Sequence, residues 1–265
     1  MFPFQQAPGL SFLLPEQYLN LLFAKKGALF LFSRLTGRGT VEFTIERGNG
    51  STFSPQAGGE ARSTATIQVV IDGYSAPLTA GNFAKLVRER SDNCIAIDII
   101  SYSYMHGACG IILTQDYQVM DGAYDGTKLS CTSQAVLSDQ TLDRSIGYSV
   151  PLEIMPSGQF EPLYKTTLSV QDGELPVLPL SVYGAVAMAH SEDSEEYSSP
   201  NQFFFYLYDK RNAGLGGLSF DEGQFSVFGY ATAGREILSQ IKTGDIIRSA
   251  KLLEGRDRLV LPNEN

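Results

Sequence analysis

The sequence predicts a mainly β fold, and three features lead to that prediction. Residues 34–46 (RLTGRGTVEFTIE) alternate apolar and polar side chains, which is the pattern of a strand with one buried face. Residues 149–190 contain five prolines, a density that excludes a long helix and favours short strands and turns. Residues 198–247 contain strand-like apolar runs followed by one amphipathic helix.

The composition is that of a globular protein. Of the 265 residues, 43% are apolar and 18% are charged, so the chain can bury a substantial core and form one domain with additions. Its 20 Lys and Arg against 29 Asp and Glu give a net charge of −9. An acidic surface disfavours nucleic acid and anionic membranes as partners, and we expect neither.

Cysteine and histidine are scarce. The three cysteines cannot all pair, so the sequence predicts no disulfide framework. Cys94, His106 and Cys109 lie in one segment, but their spacing fits no standard zinc pattern and they offer only three ligands. We therefore expect no metal and no cofactor.

The first 33 residues are apolar but match no targeting class. Lys25 and Lys26 interrupt them, so no run reaches the roughly 20 apolar residues of a membrane span. Neither the charge order of a secretory signal nor the Ser and Arg content of a transit peptide is present. We interpret residues 1–33 as the incomplete or misjoined start of a longer protein. The alternative is an amphipathic segment that packs on the domain.

The ordered part of the sequence begins at Arg34. In the first strand Val41, Phe43 and Ile45 should face the core. Residues 47–63 are rich in Gly, Ser and Pro and predict an exposed loop. Residues 65–71 predict a second strand that ends in an Asp-Gly turn.

Two helices are predicted. The first starts near Pro77, whose missing N–H costs nothing there. Its apolar face consists of Leu78, Phe83, Leu86 and Val87. The second helix should run over residues 233–241, with Thr232 as its N-cap and Gly244 just past its end.

Several motifs resemble those of one protein family. They are GYSAPLTAGNF at residues 73–83, GAVAMAH at 184–190, SSPNQFFFYLYD at 198–209 and GQFSVFGYATAGREILSQIKTGDII at 223–247. Together they resemble the cyclophilins, which are peptidyl-prolyl cis-trans isomerases. With the proline-rich stretch and RLTGRGTVEF, the chain resembles the plant thylakoid-lumen cyclophilins, over residues 34–87 and 119–258.

The resemblance implies a fold and a location. The expected fold is a closed antiparallel eight-stranded β-barrel with two capping α-helices, spanning residues 34–258 and followed by a tail at 259–265. The expected location is the chloroplast thylakoid lumen. We further expect a monomer that binds a proline-containing peptide or protein client.

The resemblance also implies a peptide-binding groove. Met188, Ala189 and His190 would form one rim, Gln202 would hold the peptide and Phe204 would floor the proline pocket, with Phe220 where the family usually has Trp and Phe225 where it often has His. Each has a simpler reading. Met188 and Phe204 suit the core of any barrel, and His190 suits a surface.

The catalytic arginine of the family is not found. TyrAspGlyThr at residues 124–127 is followed by Leu129, Ser130 and Cys131, where cyclophilins have Phe, His and Arg. None of the three can donate a charged hydrogen bond to a proline nitrogen. We therefore assign no catalytic residue. The resemblance therefore implies a peptidyl-prolyl isomerase with weak or absent activity, and the alternative is a non-catalytic proline-peptide scaffold or chaperone.

Residues 88–118 have no counterpart in the resemblance. A structureless loop of this length inside a compact domain is unusual. We interpret the segment as a translated retained intron or a gene-model error. The alternative is a lineage-specific hairpin.

Overall fold

The computed structural model describes residues 32–54, 60–90, 97–103, 109–113, 150–190, 195–199, 203–242 and 245–262. The strands within these ranges are β1 Arg34–Leu35, β2 Arg38–Glu46, β3 Thr64–Asp72, β4 Ile97–Ser103, β5 Cys109–Leu113, β6 Val150–Pro151, β7 Glu153–Ile154, β8 Leu163–Tyr164, β9 Ala185–Met188, β10 Tyr197–Ser198, β11 Phe203–Leu207, β12 Val227–Ala233, β13 Ile246–Glu254 and β14 Leu259–Val260. The α-helices are α1 Pro77–Arg90 and α2 Arg235–Leu238. The prediction of a mainly β protein is confirmed.

One large sheet organises the domain. Its hydrogen-bonded neighbours follow the order β11-β5-β4-β13-β2-β3-β12-β9, and β9 also pairs with β11, so the order closes as a barrel. All of its pairings are antiparallel. Three short pairs lie outside this sheet: β1 with β14, β6 with β10 and β7 with β8.

The first long strand has the predicted alternation. Val41, Phe43 and Ile45 of β2 are buried, while the residues between them are partly exposed. The Phe43 ring stacks on Phe203 at 5.8 Å between centroids. A period of two therefore directs one face of β2 into the main core.

Helix α1 begins at Pro77, as the sequence predicts. Leu78, Phe83 and Val87 of its predicted apolar face are buried. The Phe83 ring lies 4.9 Å from Phe203 and 4.8 Å from Phe228, so it fills the core between strands.

A glycine lets strand β1 cross this helix. A Cβ on Gly81 would lie 2.3 Å from the Cα of Arg34. Real Cβ atoms do not approach a backbone that closely, so any other residue at position 81 would push β1 away from α1.

The second helix is shorter than predicted. α2 covers Arg235–Leu238, and its N-cap is Gly234 with φ +69°, so the predicted start at 233 and the Thr232 cap are wrong. Thr232 belongs to β12, and its hydroxyl donates to the Gln68 carbonyl at 3.4 Å. A Cβ on Gly234 would lie 2.1 Å from the Thr66 carbonyl oxygen, so strand β3 fixes where this helix can begin.

The predicted exposed loop at residues 47–63 has a buried anchor in its described part. Phe53 is buried and bridges to Arg62, with the Arg47 guanidinium 4.5 Å above its ring. Arg47 also forms a 2.9 Å ion pair with Asp245. The prediction of a wholly exposed loop is therefore wrong, because Phe53 and Arg47 attach the segment to the barrel.

The segment at 88–118 supplies two strands. β4 and β5 pair with each other as an antiparallel hairpin and also with β13 and β11. The interpretation as a retained intron concerns the transcript and stays a prediction. The expectations for residues 1–31 lie outside the described residues.

In the part of the chain that the structure describes, no helix is both long enough and apolar enough to cross a membrane. The same ranges contain no group of three or more His, Cys, Asp or Glu side chains that could hold a metal ion.

Candidate peptide-binding site

Strands β9, β11 and β12 have two buried faces of different composition. Along β9 the side chains alternate, so Val186 and Met188 join the main core while Ala185 and Ala187 face the other side. Along β11, Phe203 and Phe205 join the main core while Phe204 and Tyr206 do not. The second face is the outer face of the barrel wall, because side chains alternate across a strand.

A separate apolar cluster covers this face, and we call it the outer-face cluster. Its buried members are Leu180, Ala185, Ala187, Ala189, Phe204, Tyr206 and Val227. Partly buried side chains that pack on it are Leu178, Val182, Tyr208, Phe225 and Tyr230.

Four aromatic rings form a continuous series on the outer face. His190 stacks on Phe225 with centroids 4.5 Å apart, and Phe225 meets the edge of Phe204 at 5.2 Å. Phe204 in turn lies 6.4 Å from Tyr206. His190 Nε2 lies 3.1 Å from the Gln224 carbonyl oxygen, which holds the imidazole over Phe225. Such a surface can bind an apolar ring by stacking and edge contacts.

The structure therefore brings together four of the predicted site residues: Ala189, His190, Phe204 and Phe225. Phe204 is 8% exposed and lies on β11, directly opposite Ala187 of β9.

Met188 is not on this face. Its side chain is 0% exposed and belongs to the main core, beside the paired residue Phe203. The predicted rim position of Met188 is wrong, because it is one residue out of phase with Ala187 and Ala189 on an alternating strand.

Phe220 is 64% exposed and is not a member of the outer-face cluster as defined. A Cβ placed on Gly214 would lie 3.1 Å from the Phe220 ring, so the ring rests above that glycine. The structure thus places Phe220 on the turn that leads to Phe225. The predicted site residue Gln202 and the positions of Leu129, Ser130 and Cys131 lie outside the described residues.

A polar network that the sequence did not reveal lies under the outer-face cluster. The Glu222 carboxylate is buried and accepts hydrogen bonds from the backbone N–H of Leu180 at 2.7 Å and of Ser181 at 2.8 Å. The Ser181 hydroxyl also donates to it, and accepts from the Ser219 N–H at 2.7 Å. Ser219 Oγ in turn hydrogen bonds to the hydroxyl of Tyr206.

The tyrosines of this region act as neutral hydroxyl groups. Burial raises the pKa of Tyr206 above its ordinary value, and burial likewise raises the pKa of Tyr230. Tyr230 donates to the Pro179 carbonyl at 2.9 Å. Both tyrosines therefore combine apolar contact with a directed hydrogen bond.

A second buried carboxylate, that of Glu153, joins helix α1 to the segment just before strand β12. Glu153 accepts from the backbone N–H of Leu78 at 3.1 Å and of Thr79 at 2.8 Å, in the first turn of α1. Its own N–H donates to Ser226 Oγ at 2.8 Å, next to Phe225. Burial raises the pKa of Glu153 to about 7, against the opposing effect of the two helix N–H donors.

Comparison with known proteins finds cyclophilin-type isomerases both by a family profile and by similar sequences. The profile of the family described as "Cyclophilin type peptidyl-prolyl cis-trans isomerase/CLD" matches residues 60–258. The chain is 63% identical to the chloroplastic peptidyl-prolyl cis-trans isomerase CYP37 of Arabidopsis thaliana, over 98% of this chain and 47% of that protein.

Two further relatives are more distant. A Synechocystis protein, whose name refers to a thylakoid lumen peptidyl-prolyl cis-trans isomerase, is 31% identical over 95% of this chain and 54% of its own length. The chloroplastic isomerase CYP38 of Arabidopsis thaliana is 26% identical over 96% of this chain and 49% of its own length. The chain spans about half the length of these relatives. The family profile and the 63% identity together show that this chain belongs to the cyclophilin family of peptidyl-prolyl cis-trans isomerases.

Proposed function

We propose that this chain binds X-Pro segments of client proteins on the outer-face cluster and is a peptidyl-prolyl cis-trans isomerase of the chloroplast thylakoid lumen. The observation that carries the proposal is the series His190, Phe225, Phe204 on the outer wall of a cyclophilin-family domain. The names of the relatives, which refer to the chloroplast and to the thylakoid lumen, support the location.

The chemistry asks little of the protein beyond selective binding. Rotation about an X-Pro bond faces a barrier of roughly 18–20 kcal/mol set by amide resonance. The cis and trans forms differ by only about 0.5–1 kcal/mol, so a catalyst needs to bind the twisted state more tightly than either planar form. An apolar pocket for the proline ring holds the substrate while the amide rotates.

The described residues supply such a pocket wall. Phe204 would contact the proline ring, with Phe225 at its edge and Ala189 leaving room for the peptide. His190 would line the rim, and Phe220 would extend the apolar surface along the preceding turn. Gln202, which lies outside the described residues, would hold the peptide backbone as the family resemblance implies.

The site lacks, at the position expected from the family, the arginine that would donate a hydrogen bond to the proline nitrogen. The sequence has Leu129, Ser130 and Cys131 where the family has Phe, His and Arg. Loss of one preorganised donor typically lowers turnover by about 10²–10³. We therefore expect turnover at least a hundredfold below that of an arginine-bearing cyclophilin, together with retained peptide binding.

A protease-coupled assay with a chromogenic Ala-Ala-Pro-Phe peptide tests this proposal, with binding of the same peptide measured by calorimetry. Weak turnover and measurable binding are expected. Cys131→Arg should recover part of the turnover, whereas Cys131→Lys, which adds charge without the guanidinium fork, should recover less. Ordinary cyclophilin rates in the unmodified protein would contradict the degenerate site. Binding with no turnover at all would identify a non-catalytic scaffold, and absence of both would contradict the proposal.

The finer architecture and the assembly state are part of the same proposal. We propose an eight-stranded closed barrel with two capping helices, and the antiparallel strand order and the buried face of α1 support it. We propose that the domain acts as a monomer. Light scattering coupled to gel filtration would contradict this if it gave twice the mass of one chain.

A further inference from the structure

The turn at residues 219–225 carries the outer-face aromatic residue Phe225 but lies outside the barrel strands. The Phe225 ring contacts the rings of Phe204 and His190, at 5.2 and 4.5 Å between centroids. Ring contacts of this kind hold an orientation only weakly by themselves. Something in the turn must therefore fix where the Phe225 ring lies.

Glu222 is placed to do this. It precedes Phe225 by three residues, is 2% exposed, and its two carboxylate oxygens accept from the consecutive backbone N–H groups of Leu180 and Ser181. The donors lie 42 and 41 residues away in sequence, so these bonds join two separate segments. A buried carboxyl group without hydrogen-bond partners would be costly, so these bonds matter for holding the two segments together.

The hydrogen bonds continue into the barrel wall. Ser181 Oγ donates to Glu222 and accepts from the Ser219 N–H, and Ser219 Oγ meets the Tyr206 hydroxyl. Tyr206 lies on β11, two residues from Phe204 and on the same face. Glu222 is thus linked by hydrogen bonds to the strand that carries the ring facing Phe225.

The far side of the turn is also fixed. Gly223 has φ +79° and its carbonyl accepts from the Leu168 N–H at 2.9 Å, while Gln224 Nε2 donates to the Leu168 carbonyl at 3.3 Å. Hydrogen bonds therefore attach the turn on both sides of Phe225's approach to the outer-face cluster. Loss of the Glu222 carboxylate would release one side.

We infer that Glu222 is a positioning residue for peptide binding, which acts by holding Phe225 against Phe204 and His190. This inference deepens the proposed function and rests on it. Glu222 acts through Phe225 and not by contact with the substrate.

The test is a double-mutant cycle of Glu222→Gln and Phe225→Ala, read by calorimetric binding of the Ala-Ala-Pro-Phe peptide at a temperature where all four proteins are folded by circular dichroism. Glutamine keeps the shape but sets an NH₂ group against a backbone N–H, which leaves that donor unsatisfied. Glu222→Gln should weaken binding about tenfold in the parent protein. In the Phe225→Ala background the same change should alter affinity less than about twofold.

A matched control makes the same chemical change elsewhere. Glu174 is exposed and its carboxylate accepts from the Ser169 N–H at 2.8 Å, so Glu174→Gln also removes a carboxylate from a backbone donor, but outside the cluster. Its affinity should equal that of the parent. A purely structural role for Glu222 would lower the melting temperature and leave affinity unchanged, or would weaken binding equally in both backgrounds. Either result would overturn the inference.

Two further measurements cover the remaining outcomes. If Glu222→Gln does not fold, Ser181→Ala removes one link of the same network and should weaken binding about threefold. Unchanged affinity in that variant would overturn the inference. If the parent protein does not bind the peptide, the proposed function fails, and NMR still decides whether Glu222 positions the Phe225 ring. Ring contacts between Phe204 and Phe225 should be present in the parent and lost in the variant, and their persistence in the variant would contradict it.

Discussion

The inner and outer faces of the wall formed by β9, β11 and β12 are stabilised in different ways. The inner face is apolar throughout, with Phe203, Phe205 and Phe228 packed against Phe43 and Phe83. All of these side chains come from strands or from α1. Strand pairing and helix geometry already set their positions, so packing alone completes this core.

On the outer face, irregular segments contribute part of the apolar surface. Leu180 and Phe225 lie outside the strands, and their segments are fixed by Glu222 and Ser219. The comparison teaches that apolar surface provided by loops requires buried polar anchors, whereas apolar surface provided by a barrel does not. A binding face that must remain open to a ligand is built partly from loops and therefore needs such anchors.

The largest expected effect is on the inner face. Phe228→Ala should lower the free energy of unfolding by about 3–5 kcal/mol, because the ring is fully buried and lies 4.8 Å from Phe83. Urea denaturation measures this loss. The folded variant should bind the proline peptide as the parent does, and a specific loss of affinity would show that the two faces are coupled.

Phe204→Ala tests the outer face. It should lower the free energy of unfolding by about 3 kcal/mol and also weaken binding of a proline-containing peptide. The reason is that the ring belongs both to the buried outer-face cluster and to the proposed pocket. Denaturation and calorimetry on the same preparation separate the two effects. Unchanged affinity in a folded variant would remove Phe204 from the site.

Glu153 joins the first turn of α1 to Ser226, next to Phe225, and should make stability depend on pH. Its pKa is about 4.5 in an unfolded chain and about 7 in the folded protein. Below pH 4.5 both states are protonated and the contribution to stability is complete. As pH rises towards 7 the unfolded state releases its proton first, so stability falls, by up to about 3 kcal/mol at 1.4 kcal/mol per pH unit.

Glu153→Gln isolates that contribution. The difference in unfolding free energy between parent and variant should change across pH 4.5–7 and stay constant above pH 7. Denaturation curves at pH 4.5, 5.5, 6.5 and 7.5 measure it. A difference that is independent of pH would show that the helix N–H donors of Leu78 and Thr79 keep the carboxylate ionised in the folded protein.

The smallest expected effect is that of Phe220→Ala. The side chain is 64% exposed, so its removal should change the free energy of unfolding by no more than about 0.5 kcal/mol. Peptide affinity should fall about twofold if Phe220 extends the apolar surface of the site. An affinity equal to that of the parent would confine the binding face to the outer-face cluster.

Sequence reasoning succeeded where a periodic pattern decides the structure. The alternation of β2 was predicted residue by residue. Of the four residues predicted for the apolar face of α1, Leu78, Phe83 and Val87 are buried, whereas Leu86 is only half-buried. Phe204 and Phe225 were found through family motifs, and the structure places them in contact. Met188 was misplaced because the motif was read as a continuous rim, although neighbouring strand residues must face opposite sides.

Long-range contacts account for what the sequence could not predict. The donors to Glu153 lie 75 and 74 residues away, and those donors are backbone N–H groups, which carry no residue-specific pattern. The start of α2 is set by the carbonyl of Thr66 beside Gly234, a contact between segments that are far apart in the sequence. Such features become visible only once the barrel brings the segments together.

The pairing of β1 with β14 has a mechanical consequence. Arg34 pairs with Val260 and Leu35 with Leu259, so the chain enters and leaves the barrel at the same end of a short antiparallel ladder. A force applied through the flanking chain would open this ladder one hydrogen bond at a time instead of shearing all of its bonds together. The two strands would peel away at low force until the buried side chain of Leu35 had to leave the core. A pulling force on either flanking segment would therefore separate β1 from β14 before it disturbed the outer-face cluster.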